Sequence, residues 1–134
     1  MAKPNKSVLA FRKLTVDLMR EVHDEAVKEL NDQGEQLRSL IESVAPKLEG
    51  NLRHSVRKIP GKNDRQIRIV AGGELTVRPS ISSKPYDYSR AAEFGARGVP
   101  ATPFFFPSYR LRKKKIISAM KRKITKSIKA RSAE

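Results

Sequence analysis

Two histidines, one glutamate between apolar neighbours and a run of cations are the side chains that could do chemistry in this chain of 134 residues. His23 and His54 are its only histidines. A two-histidine metal site needs carboxylates converging on it, and a helical one needs His-x-x-x-His or His-Glu-x-x-His spacing. Neither spacing occurs, so both read as surface or packing residues. Ser55 follows His54, but adjacency in sequence does not make a nucleophile and its base. Glu93 would need a partner acid, base or metal to act catalytically, and the sequence nominates none. It reads instead as a carboxylate that pairs with an arginine or accepts backbone N–H groups near a turn. There is no Gly-x-Ser-x-Gly and no phosphate-cradling glycine loop. The expectation is a protein that is not an enzyme and needs no cofactor and no metal.

The cations remain. The formal net charge is +15, and it is unevenly distributed. Residues 1–48 balance eight Lys/Arg against eight Asp/Glu, residues 49–109 carry ten against five, and residues 110–134 carry eleven against one. A segment that basic attracts a polyanion or an acidic protein surface, whereas an ordinary surface mixes both signs. Arg112, Lys113, Lys114, Lys115, Lys121, Arg122 and Lys123 are the candidates for contact with DNA or an acidic partner. Sequence-independent nucleic-acid binding through this segment is the alternative function. The chain has no cysteine, which excludes disulfides and thiolate-ligated metals and suits a reducing cytoplasm. No apolar run approaches a membrane span or a signal peptide, so no membrane partner is expected.

The elements that must position these groups can be read from periodicity. Residues 1–6 read as a disordered lead-in, and Ser7 as a helix cap. Phe11, Leu14, Leu18, Val22, Ala26, Leu30, Leu37, Leu40, Ile41 and Val44 then recur at helical steps. The opposite face carries charges of both signs, from Arg12 to Glu29, and reads as exposed. Gly34 is a weak point where the helix could kink. Pro46 ends it by biasing Ala45 away from helical geometry. Such a helix is about 57 Å long, more than a domain of this size can cover, so part of it must bend or pack on something else. Residues 52–59 and 65–71 read as a β-hairpin around Pro60-Gly61-Lys62-Asn63-Asp64. Gly72-Gly73 makes a turn, 74–78 reads as a third strand stopped by Pro79, and 81–85 as a polar loop. Tyr86 and Tyr88 begin a short strand. Residues 91–94 form one helical turn closed by Gly95 in the left-handed conformation. A helix over 108–130 turns Leu111, Ile116, Ile117, Met120, Ile124 and Ile128 inward. The expected fold is a single α+β domain: a long N-terminal helix and a basic C-terminal helix (110–134) packed on a small antiparallel sheet.

Two motifs punctuate this plan. Ala45-Pro46-Lys47-Leu48-Glu49-Gly50-Asn51-Leu52-Arg53-His54-Ser55-Val56 comes directly after the long helix. Tyr88-Ser89-Arg90-Ala91-Ala92-Glu93-Phe94-Gly95, then Pro100-Ala101-Thr102-Pro103-Phe104-Phe105-Phe106-Pro107, precedes the basic one. Pro46, Gly50 and Gly95 are the structural turn residues. The three phenylalanines cannot all point one way along an extended path, so one or two should enter the core and one should face a neighbouring subunit. In order and spacing the motifs resemble the tail-completion (head–tail joining, minor tail component) family of long-tailed bacteriophages, over roughly residues 7–130. Three departures are Ser89 where Ala is usual, Ala96 where Thr is common, and the unusually basic tail. The resemblance implies a virion structural protein at the neck or proximal tail, assembled in the host cytoplasm. It would form a homo-oligomeric ring, expected to be hexameric, against neighbouring connector and tail proteins, with DNA in the lumen. Phe104, Phe105, Phe106, Glu93 and Phe94 are the expected subunit-interface residues.

Overall fold

In the computed structural model, which describes residues 3, 5–47, 50–79 and 84–132, helix α1 runs unbroken from Lys6 to Val44. Its cap is Asn5, whose side chain accepts from Ser7 N at 2.9 Å, so Ser7 lies inside the helix rather than at its start. Of the lead-in, residues 1, 2 and 4 lie outside the described residues, as do Leu48 and Glu49 of the first motif and residues 81–83 of the polar loop. Gly34 does not break the helix. It lies where a strand crosses, and a Cβ there would collide with Ile67 Cδ1. The helix ends one residue before Ala45, which is extended (φ −57°, ψ 140°) as a residue preceding proline must be. Gly50 then turns the chain in the left-handed region (φ 85°, ψ −16°), which a side chain disfavours.

Beyond Gly50 the chain makes one turn of helix before it becomes extended. Helix α2 spans Asn51–Ser55, and the strands are β1 (Arg57–Pro60) and β2 (Ile67–Val70). The expected hairpin therefore loses residues 52–55 to that helical turn, which buries Leu52, Ser55 and Val56. The hairpin is antiparallel, with Arg57 opposite Val70 and Pro60 opposite Ile67. The third strand is shorter than expected: Glu74–Thr76 form a 3₁₀ turn, and only β3 (Val77–Arg78) is extended. It pairs antiparallel with β4 (Tyr86–Asp87), so the described residues form two small two-stranded sheets. Tyr88 opens helix α3 (Tyr88–Phe94) instead of lying in a strand. Gly95 has φ 81° but ψ 166°, outside the left-handed helical region expected for it and in one essentially reserved for glycine.

Helix α4 (Phe106–Ser132) packs antiparallel along α1. Arg112 reaches Gln33 and Gln36 at one end, and Arg131 reaches Glu21 at the other. Its inward apolar residues are Ile116, Met120 and Ile124; Leu111, Ile117 and Ile128 are exposed, against expectation. The architecture is the expected α+β arrangement. Its core is small and lies at one end of the helix pair: Leu37, Ile41, Ala45, Leu52, Val56, Ala92 and Phe104. The chain exposes 10227 Å², whereas a compact monomer of 15.1 kDa exposes about 7,100 Å².

Candidate functional site

Glu93 ties the second motif together. It sits on α3, buried, and its carboxylate accepts three successive amides of the phenylalanine run. Oε2 takes Phe104 N at 2.8 Å and Phe105 N at 2.9 Å, and Oε1 takes Phe106 N at 3.0 Å. These amides lead into α4, where a helix start leaves N–H groups without intrahelical partners and favours negative charge. Glu93 is thus a cap supplied by another helix. Of the two sequence readings, the backbone-accepting one describes it. Its carboxylate, expected at a subunit interface, is buried and satisfied within the chain.

The phenylalanines divide as their backbone path requires. Phe104 is buried in the core, and Phe105 packs against it from the side. Phe104 is accordingly removed from any surface. Phe106 is exposed and lies 6.0 Å, centroid to centroid, from Phe94, which is 65% exposed. These two rings form an aromatic patch beside an apolar groove of about 320 Å³ between α1, β2 and α4, lined by Leu30, Leu37, Ile67, Phe105, Tyr109 and Ile116.

A polar network, absent from the sequence reading, joins the two motifs. Gly72 N donates to Ser55 Oγ at 2.9 Å, and Arg57 bridges Ser55 O and Gly72 O at 2.9 and 2.7 Å. On the other side of Gly72, Asp87 Oδ1 accepts from Thr76 Oγ1, Ser89 Oγ and Ser89 N at 2.6, 2.7 and 2.9 Å. Burial pushes the Asp87 carboxyl up, but these hydrogen bonds and the Gly73 amide outweigh it and hold the group below its ordinary value. Ser89 is thus buried with its hydroxyl satisfied by Asp87. The available signal was Asp87 two residues before Ser89, a helix N-cap spacing.

The basic helix is sorted by partner. Arg112 lies against Gln33 and Gln36, Lys123 Nζ is 3.2 Å from Glu25, and Arg131 is 2.8 Å from Glu21. Arg112 and Lys123, expected to face DNA or an acidic partner, are therefore turned to α1. The acids Glu21 and Glu25, read as an exposed face, receive α4. Lys113, Lys114, Lys115, Lys121 and Arg122 are exposed. Among the histidines, His23 Nε2 lies 2.7 Å from Asp64 Oδ2, fastening the hairpin turn to α1 and holding that carboxyl below its ordinary value; His54 is exposed. Among the described residues there is no cluster of three or more metal-ligating side chains, and no helix is long and apolar enough to cross a membrane.

No protein-family model, curated protein or solved structure matches the chain. The likeness to tail-completion proteins rests on the two motifs.

Proposed function

We propose that this chain is a structural subunit of the neck or proximal tail of a long-tailed bacteriophage, working in a homo-oligomeric ring that completes the tail or joins it to the head. The observation that carries the assembly reading is the first third of α1. Beyond the point where Arg131 meets Glu21, residues 6–20 extend past α4. Phe11 (69% exposed), Leu14 (57%) and Met19 (66%) stand there in solvent with Val8, Leu9 and Val16. Singly exposed apolar residues are ordinary, but six of them on three turns of a projecting helix, spread round more than half of its circumference, mark a surface that another chain covers. What supports the phage reading is the motif resemblance, together with the meeting of both motifs in one core through Leu52, Val56, Ala92 and Phe104.

In this reading the protein carries out no reaction. Glu93 holds the start of α4 rigidly against α3, presenting Phe94 and Phe106 as a fixed patch, while the arm of α1 reaches a neighbouring subunit or connector protein. Cryo-EM of the intact particle, with mass spectrometry of its proteins, is the test. The expected result is a ring of this chain at the neck, with the α1 arm and the Phe94–Phe106 patch covered by neighbours. A chain missing from purified particles, or present with both surfaces in solvent, overturns the proposal.

A further inference from the structure

The pairing across α1 and α4 divides the cations into two sets that the sequence presents as one. The inward set is answered by α1: Arg112 by Gln33 and Gln36, Lys123 by Glu25, Arg131 by Glu21. The outward set is Arg110, Lys114, Lys115, Lys121 and Arg122, all exposed. No carboxylate among the described residues forms an ion pair with any of these five. Residues 106–132 contain no Asp or Glu at all. Helical spacing sets the five in order. Lys114 and Lys121 are seven residues apart, as are Lys115 and Arg122, so each pair is about 10.5 Å apart along the axis, and Arg110 stands one turn before Lys114. From Arg110 to Arg122 the face is about 18 Å long, or about five nucleotide steps at 3.4 Å each.

We infer that this outward face of α4 binds the phosphate backbone of duplex DNA without reading its sequence. The inference does not depend on the ring, since it concerns a face of the single chain. The composition favours DNA over an acidic protein. Protein interfaces are depleted in lysine at their centres and are anchored by buried aromatic or apolar groups. Here five cations outnumber the two exposed apolar side chains among them, Leu111 and Ile117, and neither of these is buried as an anchor. Phosphate contact needs only mobile cations at intervals along a rod, and its affinity comes from released counterions. The acids of α1 sharpen the face by taking up the cations that point the other way.

The test compares two variants of the full chain that lose the same two charges from opposite faces: Lys114→Gln/Lys121→Gln and Arg112→Gln/Lys123→Gln. Binding to a 20-base-pair duplex is followed by fluorescence anisotropy between 50 and 200 mM salt, with folding checked by circular dichroism. Five phosphate contacts predict that wild-type affinity falls about 500-fold over that range. The outward variant should stay folded and lower the log–log salt slope by about 1.8 units. The inward variant should leave the slope near wild type while lowering the melting temperature. Two duplexes of unrelated sequence should bind alike. Absence of salt-dependent binding by wild type, or equal loss of slope in the two variants, overturns the inference. Poly-glutamate binding as tightly as the duplex at equal salt also overturns it, and assigns the face to an acidic protein.

Discussion

At the scale of the residue, the largest consequences attach to Glu93 and Asp87, each of which holds several donors with one carboxylate. Glu93→Ala leaves three backbone amides without their acceptor at the start of α4. Charge-assisted bonds of this kind contribute about 1.5–3 kcal/mol each and are not additive, so a loss of about 3 kcal/mol or more is expected in urea denaturation. Glu93→Gln keeps one acceptor oxygen and should lose about 1–2 kcal/mol. A cost below about 0.5 kcal/mol for the alanine variant would show that the cap contributes nothing. Asp87 ties stability to pH. Its folded carboxyl titrates below the ordinary value of 3.8. The stability it contributes is therefore complete above that value and is lost as pH falls through the lower, folded one. Asp87→Asn keeps an oxygen acceptor but cannot titrate. The urea midpoint of this variant should fall less than that of wild type between pH 6 and pH 3, and parallel decline would remove Asp87 from the acid response.

At the scale of the element, two glycines decide how the pieces fit, for different reasons. At Gly50 the nearest atom to an added Cβ is His54 Cδ2 at 3.8 Å, so the site has room and the constraint is its positive φ. Gly50→Val should cost at least about 1 kcal/mol, and a thermal melt unchanged from wild type would refute that. At Gly34 the constraint is contact, because Ile67 occupies the space a side chain would need. Gly34→Leu should push the β1–β2 hairpin off α1 and lose about 1–3 kcal/mol through overpacking, despite a better helix former. Long periodic patterns made α1 and α4 readable, and alternation around Pro60–Asp64 made the hairpin readable. The five residues of α2 were not, because one turn of helix and one short strand share the same apolar residues. The faces of α4 were unreadable for a related reason. Ile116 and Ile117, or Ile124 and Ile128, lie at different angles round the helix, and only packing on α1 selects among them. Glu93 could be read as accepting backbone N–H groups but not as capping α4, since its donors lie 11–13 residues away along the chain.

At the scale of the whole molecule, burial and exposure are segregated along the length of α1. Gln33, Gly34, Leu37 and Ile41 are its buried residues, and none of residues 6–32 is. Substitutions on the arm should therefore separate folding from assembly. Phe11→Glu with Met19→Glu should change the stability of the free chain by less than about 1 kcal/mol, since exposed positions away from the core seldom cost more. Under the neck-ring function proposed above, the same pair should exclude the chain from assembled particles, measured as its yield in purified virions. Normal incorporation of a folded double variant would remove the arm from assembly.

Segregation of this kind also sets how the free chain fluctuates. Amides near Leu37 and Ile41 can exchange with solvent only when the whole core opens, whereas those of residues 6–20 are guarded by little beyond the helix itself. An isolated helical segment of that length is marginal in water. Extension from an existing helix spares it the cost of nucleation, so the arm should fray and re-form continually. A neighbour that grips the arm must then supply the free energy of its ordering, which makes the arm's intrinsic helicity a dial on association. Val16→Ala, at an exposed position with a better helix former, should slow exchange across the arm and tighten assembly without adding a single contact.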